Sequence, residues 1–288
     1  MQRVRRPRMA SAVTIAGSDS GGGAGIQADL LTFAAHGVYG ATVVVAGTAQ
    51  NTRGIFAVEA FSPRFVARQL DAVFMDIAPA AVKIGMLCDA GHVRVVASGL
   101  RRHGARNVVA DPVLQATSGR RLLSADGVRA LVREILPLCD LVTPNLDEAA
   151  VLAGMRIRTD ADRREAARRI AGLGARAVLV KGGHGRGRRI EDLLWDGRRF
   201  RTFANARIET RALHGTGCVL SAAVAANLAL GRPMEEAVAR AIRYLRAALR
   251  RGAFPGRGAG SPGHAVGVTP SSRSGSRPPS RRRRRSRS

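Results

Sequence analysis

Aromatic side chains are scarce in this 288-residue chain: they make up 4% of it, with a single Trp and two Tyr. That scarcity argues against the stacking platforms with which proteins grip single-stranded nucleic acid. Cysteines number three (Cys88, Cys139 and Cys218), odd in count and far apart. They exclude a disulfide framework and point to a reducing compartment, the cytoplasm. No apolar run approaches the ~18 residues of a membrane span. Residues 10–17 lead straight into a glycine-rich loop without a cleavage site, so no signal peptide is expected. Lysine is nearly missing: Lys83 and Lys181 are the only two among 47 basic residues. Acidic residues are absent from both ends, where residues 1–8 hold four arginines and residues 269–288 hold eight.

What is present divides into a body and two appendages. Removing the twelve terminal arginines from the formal charge of +26 leaves 35 basic residues against 21 acidic ones, or +14 for residues 9–268. At 45% hydrophobic the chain has enough apolar content for a core. The expected organisation is a basic N-terminal extension (1–9), one α/β domain (10–268) and an Arg/Ser/Pro-rich tail (269–288). Gly and Pro dominate from about residue 252, and the remainder is low-complexity. Such a segment buries no core and is expected to be disordered. The basic tail attracts nucleic acid nonspecifically through phosphate charge; the plainer reading is a solvated arginine-rich surface.

Between residues 12 and 250, strand-like and helix-like segments alternate. AVTIAG (12–17), ATVVVAG (41–47), AVKIGM (81–86), NVVAD (107–111), DLVTP (140–144) and AVLVKGG (177–183) read as buried strands. Helical periodicity fills 26–37, 65–77, 90–103, 125–136, 160–172, 217–230 and 234–250, and one further helix starts at Asn145. DLLWDGRRFRTF reads as a hairpin around its D-G turn. This rhythm predicts a central, mostly parallel β-sheet flanked by helices on both faces. Ligands of such sheets bind beyond the carboxyl ends of the strands, where Asp111, Asn145 and Lys181 fall.

Three motif groups carry chemistry. In HGTGCVLSAAVAANLALG (214–231), Gly215, Thr216 and Gly217 precede an amphipathic, alanine-rich helix. Their N–H groups suit an anion, and Cys218 in the first turn is expected to have a depressed pKa. A plain glycine turn with a small buried cysteine fits the same letters. AGSDSGGGAGIQADL (16–30) suits a loop that closes over a small substrate, yet it matches neither a P-loop nor a dinucleotide fingerprint. Asp29 either points into that cavity or lies on an ordinary helix surface. Finally, Asp111 and Glu148 suit a hydrated magnesium ion, with Lys181 as a point charge for phosphate. Asn145 and Glu148 also fit a capping box.

Taken in order, TIAGSDSGGGAGIQADL, VAGTAQNTRG, QLDAVFMDI, VKIGML, RNVVADPVLQATSG, LVTPNLDEAAVLAG, VLVKGGH and HGTGCVLSAAVAANLALG resemble the hydroxymethylpyrimidine/phosphomethylpyrimidine kinases of thiamine biosynthesis. These belong to the ribokinase-like superfamily. The resemblance covers nearly all of residues 12–250, and AQNT together with GTGC is its most specific part. It implies a ribokinase-like α/β fold, often dimeric. The implied activity is ATP-dependent phosphorylation of 4-amino-5-hydroxymethyl-2-methylpyrimidine, then of its monophosphate to the diphosphate. Position by position, it implies that Gln50 reads the aminopyrimidine edge and that Gly17, Asp29 and Met86 line the same pocket. Asp111 and Glu148 would serve Mg2+, Lys181 and Asn145 would serve ATP, and Gly215, Thr216, Gly217 and Cys218 would form the anion hole with its base. The chain departs from the family where Arg211, Ala212 and Leu213 replace polar residues before HGTGC, and the arginine tail has no family counterpart. A pyridoxal-type or other small-alcohol kinase of the same fold is the second enzymatic reading. Nucleic-acid binding through the tail is the non-enzymatic one.

Overall fold

The computed structural model describes residues 9–115, 119–183 and 187–265. Nearly all of the basic extension (1–9) and the whole of the 269–288 tail lie outside the described residues. Along the chain run β1 (Ser11–Asp19), α1 (Gly25–Ala35), β2 (Tyr39–Asn51), β3 (Gly54–Ala60), α2 (Pro63–Asp76), β4 (Ala81–Ile84), α3 (Ala90–Arg102), β5 (Val108–Ala110) and α4 (Ala125–Ala130). These are followed by β6 (Leu141–Val142), α5 (Leu146–Ala153), α6 (Asp160–Gly172), β7 (Val178–Val180), β8 (Arg189–Trp195), β9 (Phe200–Ala206), α7 (Thr216–Ala229) and α8 (Met234–Arg251).

One nine-stranded sheet has the order β3-β2-β1-β4-β5-β6-β7-β8-β9. The six strands from β2 to β7 are parallel, while β3, β8 and β9 are antiparallel additions at the two edges. Alternation along the strands sends side chains to two cores. Val13, Ile15, Val82 and Ile84 pack on Val66 and Leu70 of α2 and on Val93 and Val96 of α3. Ala12, Ala81, Val109, Leu141 and Leu179 face Phe33 of α1, the alanines of α7, and Val238 and Ala241 of α8. Both faces of the sheet are thus covered, as the strand–helix alternation predicts.

Three features differ from the sequence expectation. The strand β3 was not anticipated; it pairs with β2 through a short turn and forms an edge. The helix at 217–230, expected to be amphipathic, is buried from Val219 to Leu228 without interruption, because it lies between the sheet and its neighbouring helices. The Gly/Pro-rich stretch after residue 252 is docked rather than loose. Gly258 and Ala259 donate backbone N–H groups to Thr52, Gly260 exchanges backbone bonds with Arg211 and His214, and Ala253 pairs with Ser261.

A charge pair is enclosed in this core. Lys83, between Val82 and Ile84, turns to the α1 and α7 face, where its ammonium lies 2.8 Å from Asp29 Oδ2; both side chains have 0% exposure. The Thr14 hydroxyl donates to the same oxygen at 2.6 Å. Removing one member of such a pair strands the other charge. Lys83→Met is expected to lower the unfolding free energy by about 3–5 kcal/mol in urea melts. The Lys83→Met/Asp29→Leu double variant is expected to regain most of that loss; a single variant as stable as wild type would show that the pair holds nothing.

Candidate active site

The parallel strands all end on one side of the sheet, and the loops gathered there meet the start of α7. Gly215 adopts φ +79°, and a Cβ at that position would run into the carbonyl oxygen of Gly23. Gly25 has φ +57°, and a Cβ there would collide with the Gly17 carbonyl. The glycine-rich loop and the helix start are therefore in backbone-to-backbone contact, which only glycine permits. No side chain caps α7. The N–H groups of its first turn lack intrahelical partners, and the positive end of the helix dipole adds to their pull on an anion.

One flank of this helix start is ionic. A Cβ on Gly217 would stand 3.0 Å from Asp111 Oδ2 and 3.3 Å from Lys181 Nζ. Lys181 Nζ lies 2.6 Å from Asp111 Oδ1 and 3.8 Å from Glu148 Oε2. Burial opposes the charge on Lys181, but the two carboxylates outweigh it and raise its pKa. Burial also lifts Glu148; Lys181 pulls it down, Asp111 pushes it up, and it settles at about 7. Asn145 and Glu148 form a complete capping box on α5, with Glu148 N–H donating to Asn145 Oδ1 at 2.8 Å and Asn145 N–H donating to Glu148 Oε2 at 2.7 Å. The carboxylate of Glu148 is thus anchored through one oxygen at the head of its helix.

The donor set fits a magnesium ion. Asp111 and Glu148 are hard oxygen ligands that already share one cation, the Lys181 ammonium. Magnesium is commonly held by one or two carboxylates, with water and phosphate oxygens completing its shell. Among the described residues no cluster of three or more His, Cys, Asp or Glu side chains has metal-binding geometry. The remaining ligands would therefore come from solvent and a nucleotide.

Beneath the same turn sits Cys218, half-buried, with the Gly25 N–H directed at its sulfur. The expected depression of its pKa is not found. Burial pushes the thiol up; the Lys83 ammonium and the Gly25 hydrogen bond work against that, and Asp29 and Asp111 reinforce it. The helix-dipole contribution reckoned from sequence is outweighed by desolvation. Asp29, expected to line the substrate pocket, is fully enclosed as the partner of Lys83. Burial raises the Asp29 pKa while Lys83 lowers it, and Oδ1 has no hydrogen-bond partner among the described residues.

The other flank is polar. Gln50, near the end of β2, lies against His214, which in turn meets Asp19 from β1. Burial would raise the Asp19 carboxyl, but hydrogen bonds from His214 and from the Gly21 and Ala24 N–H groups hold it below its ordinary value. Met86, two residues past β4, closes on Gly17, filling the space a side chain at Gly17 would need. Asp19 and His214 were missed in the sequence although both sit inside the motifs already singled out. The docked C-terminal stretch was missed as well. Arg53 and Arg257 flank an open cavity of about 420 Å³ between the β2–β3 turn and that stretch, placing positive charge at its mouth.

The profile of the phosphomethylpyrimidine kinase family matches residues 19–263. The hydroxymethylpyrimidine/phosphomethylpyrimidine kinase of Rhizobium meliloti (strain 1021) is 56% identical over 241 residues, 83% of this chain and 90% of that protein. Among solved structures, the phosphomethylpyrimidine kinase of Clostridium difficile 630 superposes with a TM-score of 0.74 at 39% identity, covering 82% of this chain and 98% of that one. Bacillus subtilis pyridoxal kinase, solved as an ADP complex, gives a TM-score of 0.83 at 35% identity over 90% of this chain and 98% of that one. The ribokinase-like fold and an ATP-dependent kinase chemistry follow from these likenesses. With the family profile spanning both glycine-rich loops and every parallel strand except β1, the chain belongs to the phosphomethylpyrimidine kinase family.

Proposed function

We infer that this chain transfers the γ-phosphoryl group of ATP to the hydroxymethyl oxygen of 4-amino-5-hydroxymethyl-2-methylpyrimidine and then to the resulting monophosphate, in thiamine biosynthesis. The observation that carries this reading is the uncapped start of α7, set between the Lys181–Asp111 pair on one side and Gln50 on the other. An anion hole, a cation for phosphate and a hydrogen-bonding reader of a polar ring are what such a transfer requires. The pyrimidine lies between Gln50, Gly17 and Met86, with Asp29 acting through Lys83. Lys181 and the N–H groups of Gly215, Thr216, Gly217 and Cys218 take the phosphates, and Asn145 stands beside them at the head of α5. Asp111 and Glu148 would hold Mg2+, which supplies charge neutralisation at the transferred group. The cytoplasm is the compartment this reading implies. The exposed edge strand β3, with Phe56 67% exposed, supports a homodimer.

Phosphoryl transfer of this type has a loose transition state, so positioning and charge neutralisation outweigh proton abstraction. Cys218 fits that balance. It rests as a thiol; only after losing its own proton to solvent does the sulfur, as the minor thiolate that the Lys83 ammonium favours, accept the hydroxyl proton as the new P–O bond forms. Because its pKa is raised, the thiolate is the minor form at neutral pH and becomes dominant only above the ordinary thiol range. Iodoacetamide is therefore expected to label Cys218 no faster at pH 7.5 than it labels a free peptide thiol, with the rate climbing as pH rises beyond about 9. Rapid labelling at neutral pH would show a preformed thiolate. Cys218→Ala is expected to reduce kcat about 100-fold with little change in the KM for ATP.

The second reading, a pyridoxal-type kinase, is favoured by the likeness to the Bacillus subtilis enzyme. A coupled ADP-release assay with the aminopyrimidine, pyridoxal and ribose separates the two. Turnover of the aminopyrimidine that disappears in Gln50→Ala is the expected result. Turnover of pyridoxal or ribose alone would overturn the pyrimidine reading.

A further inference from the structure

Side chains from distant parts of the chain meet at the end of β2, and their hydrogen-bonding demands constrain one another. His214 Nε2 lies 2.9 Å from Asp19 Oδ2 and 3.1 Å from the side-chain nitrogen of Gln50. The Thr48 hydroxyl lies 3.2 Å from Gln50 Oε1 and 3.1 Å from the Ser18 carbonyl oxygen. Asp19 also accepts N–H groups from Gly21, Gly23 and Ala24. A carboxylate so engaged is an acceptor only, so the imidazole nitrogen facing it carries a proton. That holds for the neutral ring and for the imidazolium alike.

A protonated Nε2 cannot also accept from the Gln50 NH2 group. At the far end of the amide, the single Thr48 hydroxyl proton is sought by two oxygens, Gln50 Oε1 and Ser18 O. The nitrogen and oxygen of an amide are assigned by their partners rather than by their shape. Turning the Gln50 amide by half a turn removes both conflicts. Gln50 Oε1 then shares the Nε2–H proton with Asp19, the Gln50 NH2 group donates to Thr48 Oγ1, and Thr48 donates to Ser18 O. The rest of the residue is held in place, since the Ser20 hydroxyl donates to Gln50 O and accepts from Gln50 N–H. His214 is equally fixed. A Cβ on Gly23 would stand 2.6 Å from its Cδ2, so the ring packs on bare backbone, and the His214 backbone N–H donates to Gly260 O at 3.0 Å.

We propose that His214, together with Thr48, is a specificity-determining positioning residue: anchored by Asp19, it locks the Gln50 amide with its carbonyl toward His214 and its NH2 toward Thr48. The locked amide offers a donor and an acceptor in one fixed order. It selects a ring edge bearing an acceptor nitrogen beside an exocyclic amino donor, and it rejects the reverse order. This rests on the reading above, in which Gln50 faces the pyrimidine. The 4-oxo counterpart of the aminopyrimidine carries that reverse order, a ring N–H donor beside a carbonyl acceptor.

The experiment compares kcat/KM for the amino and oxo compounds using the purified full chain and ADP release. Wild type is expected to prefer the amino compound by at least about 100-fold. His214→Ala and Thr48→Val free the amide to rotate, and each is expected to lower that preference by about tenfold or more. His214→Gln keeps an N–H donor within reach of Asp19 and is expected to restore it. A merely structural role would weaken both substrates together; an unmoved ratio in His214→Ala and Thr48→Val would overturn the proposal. If His214→Ala does not fold, the Thr48→Val ratio decides. A preference that survives Gln50→Ala would instead sink the underlying assignment of Gln50 to the pyrimidine edge.

Discussion

The first turn of α7 rests directly on the backbone of the β1–α1 loop, and no side chain larger than hydrogen fits at Gly215, where the two touch. That contact sets the placement of the other parts. It puts Gly217 against the Asp111–Lys181 pair, Cys218 against the Gly25 N–H, and His214 against Gly23. The sheet supplies a common edge at which its six parallel strands deliver their terminal residues, and the glycine contact brings the helix to that edge. A methyl group at residue 215 would have to part the loop from the helix, separating the anion-binding N–H groups from the side chains that surround them.

Around this contact the charges are few and internal. The chain's two lysines are both there, each paired with a carboxylate, while none of the arginines among the described residues is fully buried. The reason is spatial. A Cβ on Gly85 would lie 2.8 Å from the Lys83 ammonium, and on that side there is no room for a planar guanidinium. A compact cation also leaves its remaining N–H bonds free to turn toward a neighbouring sulfur or phosphate oxygen. The site therefore combines a low-dielectric interior with counter-charges fixed in advance, the condition under which electrostatic stabilisation is strongest.

The alternation of Val/Ile runs with helical periodicity was enough to read the parallel sheet, because strands buried on both faces are apolar throughout. β3 escaped because its residues 54–60 are mostly half-buried or exposed and the turn before it has none of the usual hairpin dipeptides. Cys218 was found as a residue but misjudged as an acid: its place on the helix can be read locally, while its desolvation comes from burial against segments distant in sequence. The enclosure of Asp29 escaped for a similar reason, since its partner Lys83 lies 54 residues away and nothing in either segment announces the pairing. The Asp19–His214 contact spans 195 positions, beyond the reach of any local pattern. The segment after residue 252 was read by composition as loose, yet it docks through backbone hydrogen bonds, which composition does not encode.

That docked segment ties the timing of assembly to the direction of synthesis. Gly260 bonds to Arg211 and to His214, and Gly258 and Ala259 bond to Thr52, so these residues complete walls begun by residues synthesised well before them. Protein domains acquire structure from the N-terminus as they emerge from the ribosome. Here the sheet and α7 are available before the closing stretch has left the tunnel. A nascent chain thus carries an unsealed pocket until residues 258–261 have emerged and docked.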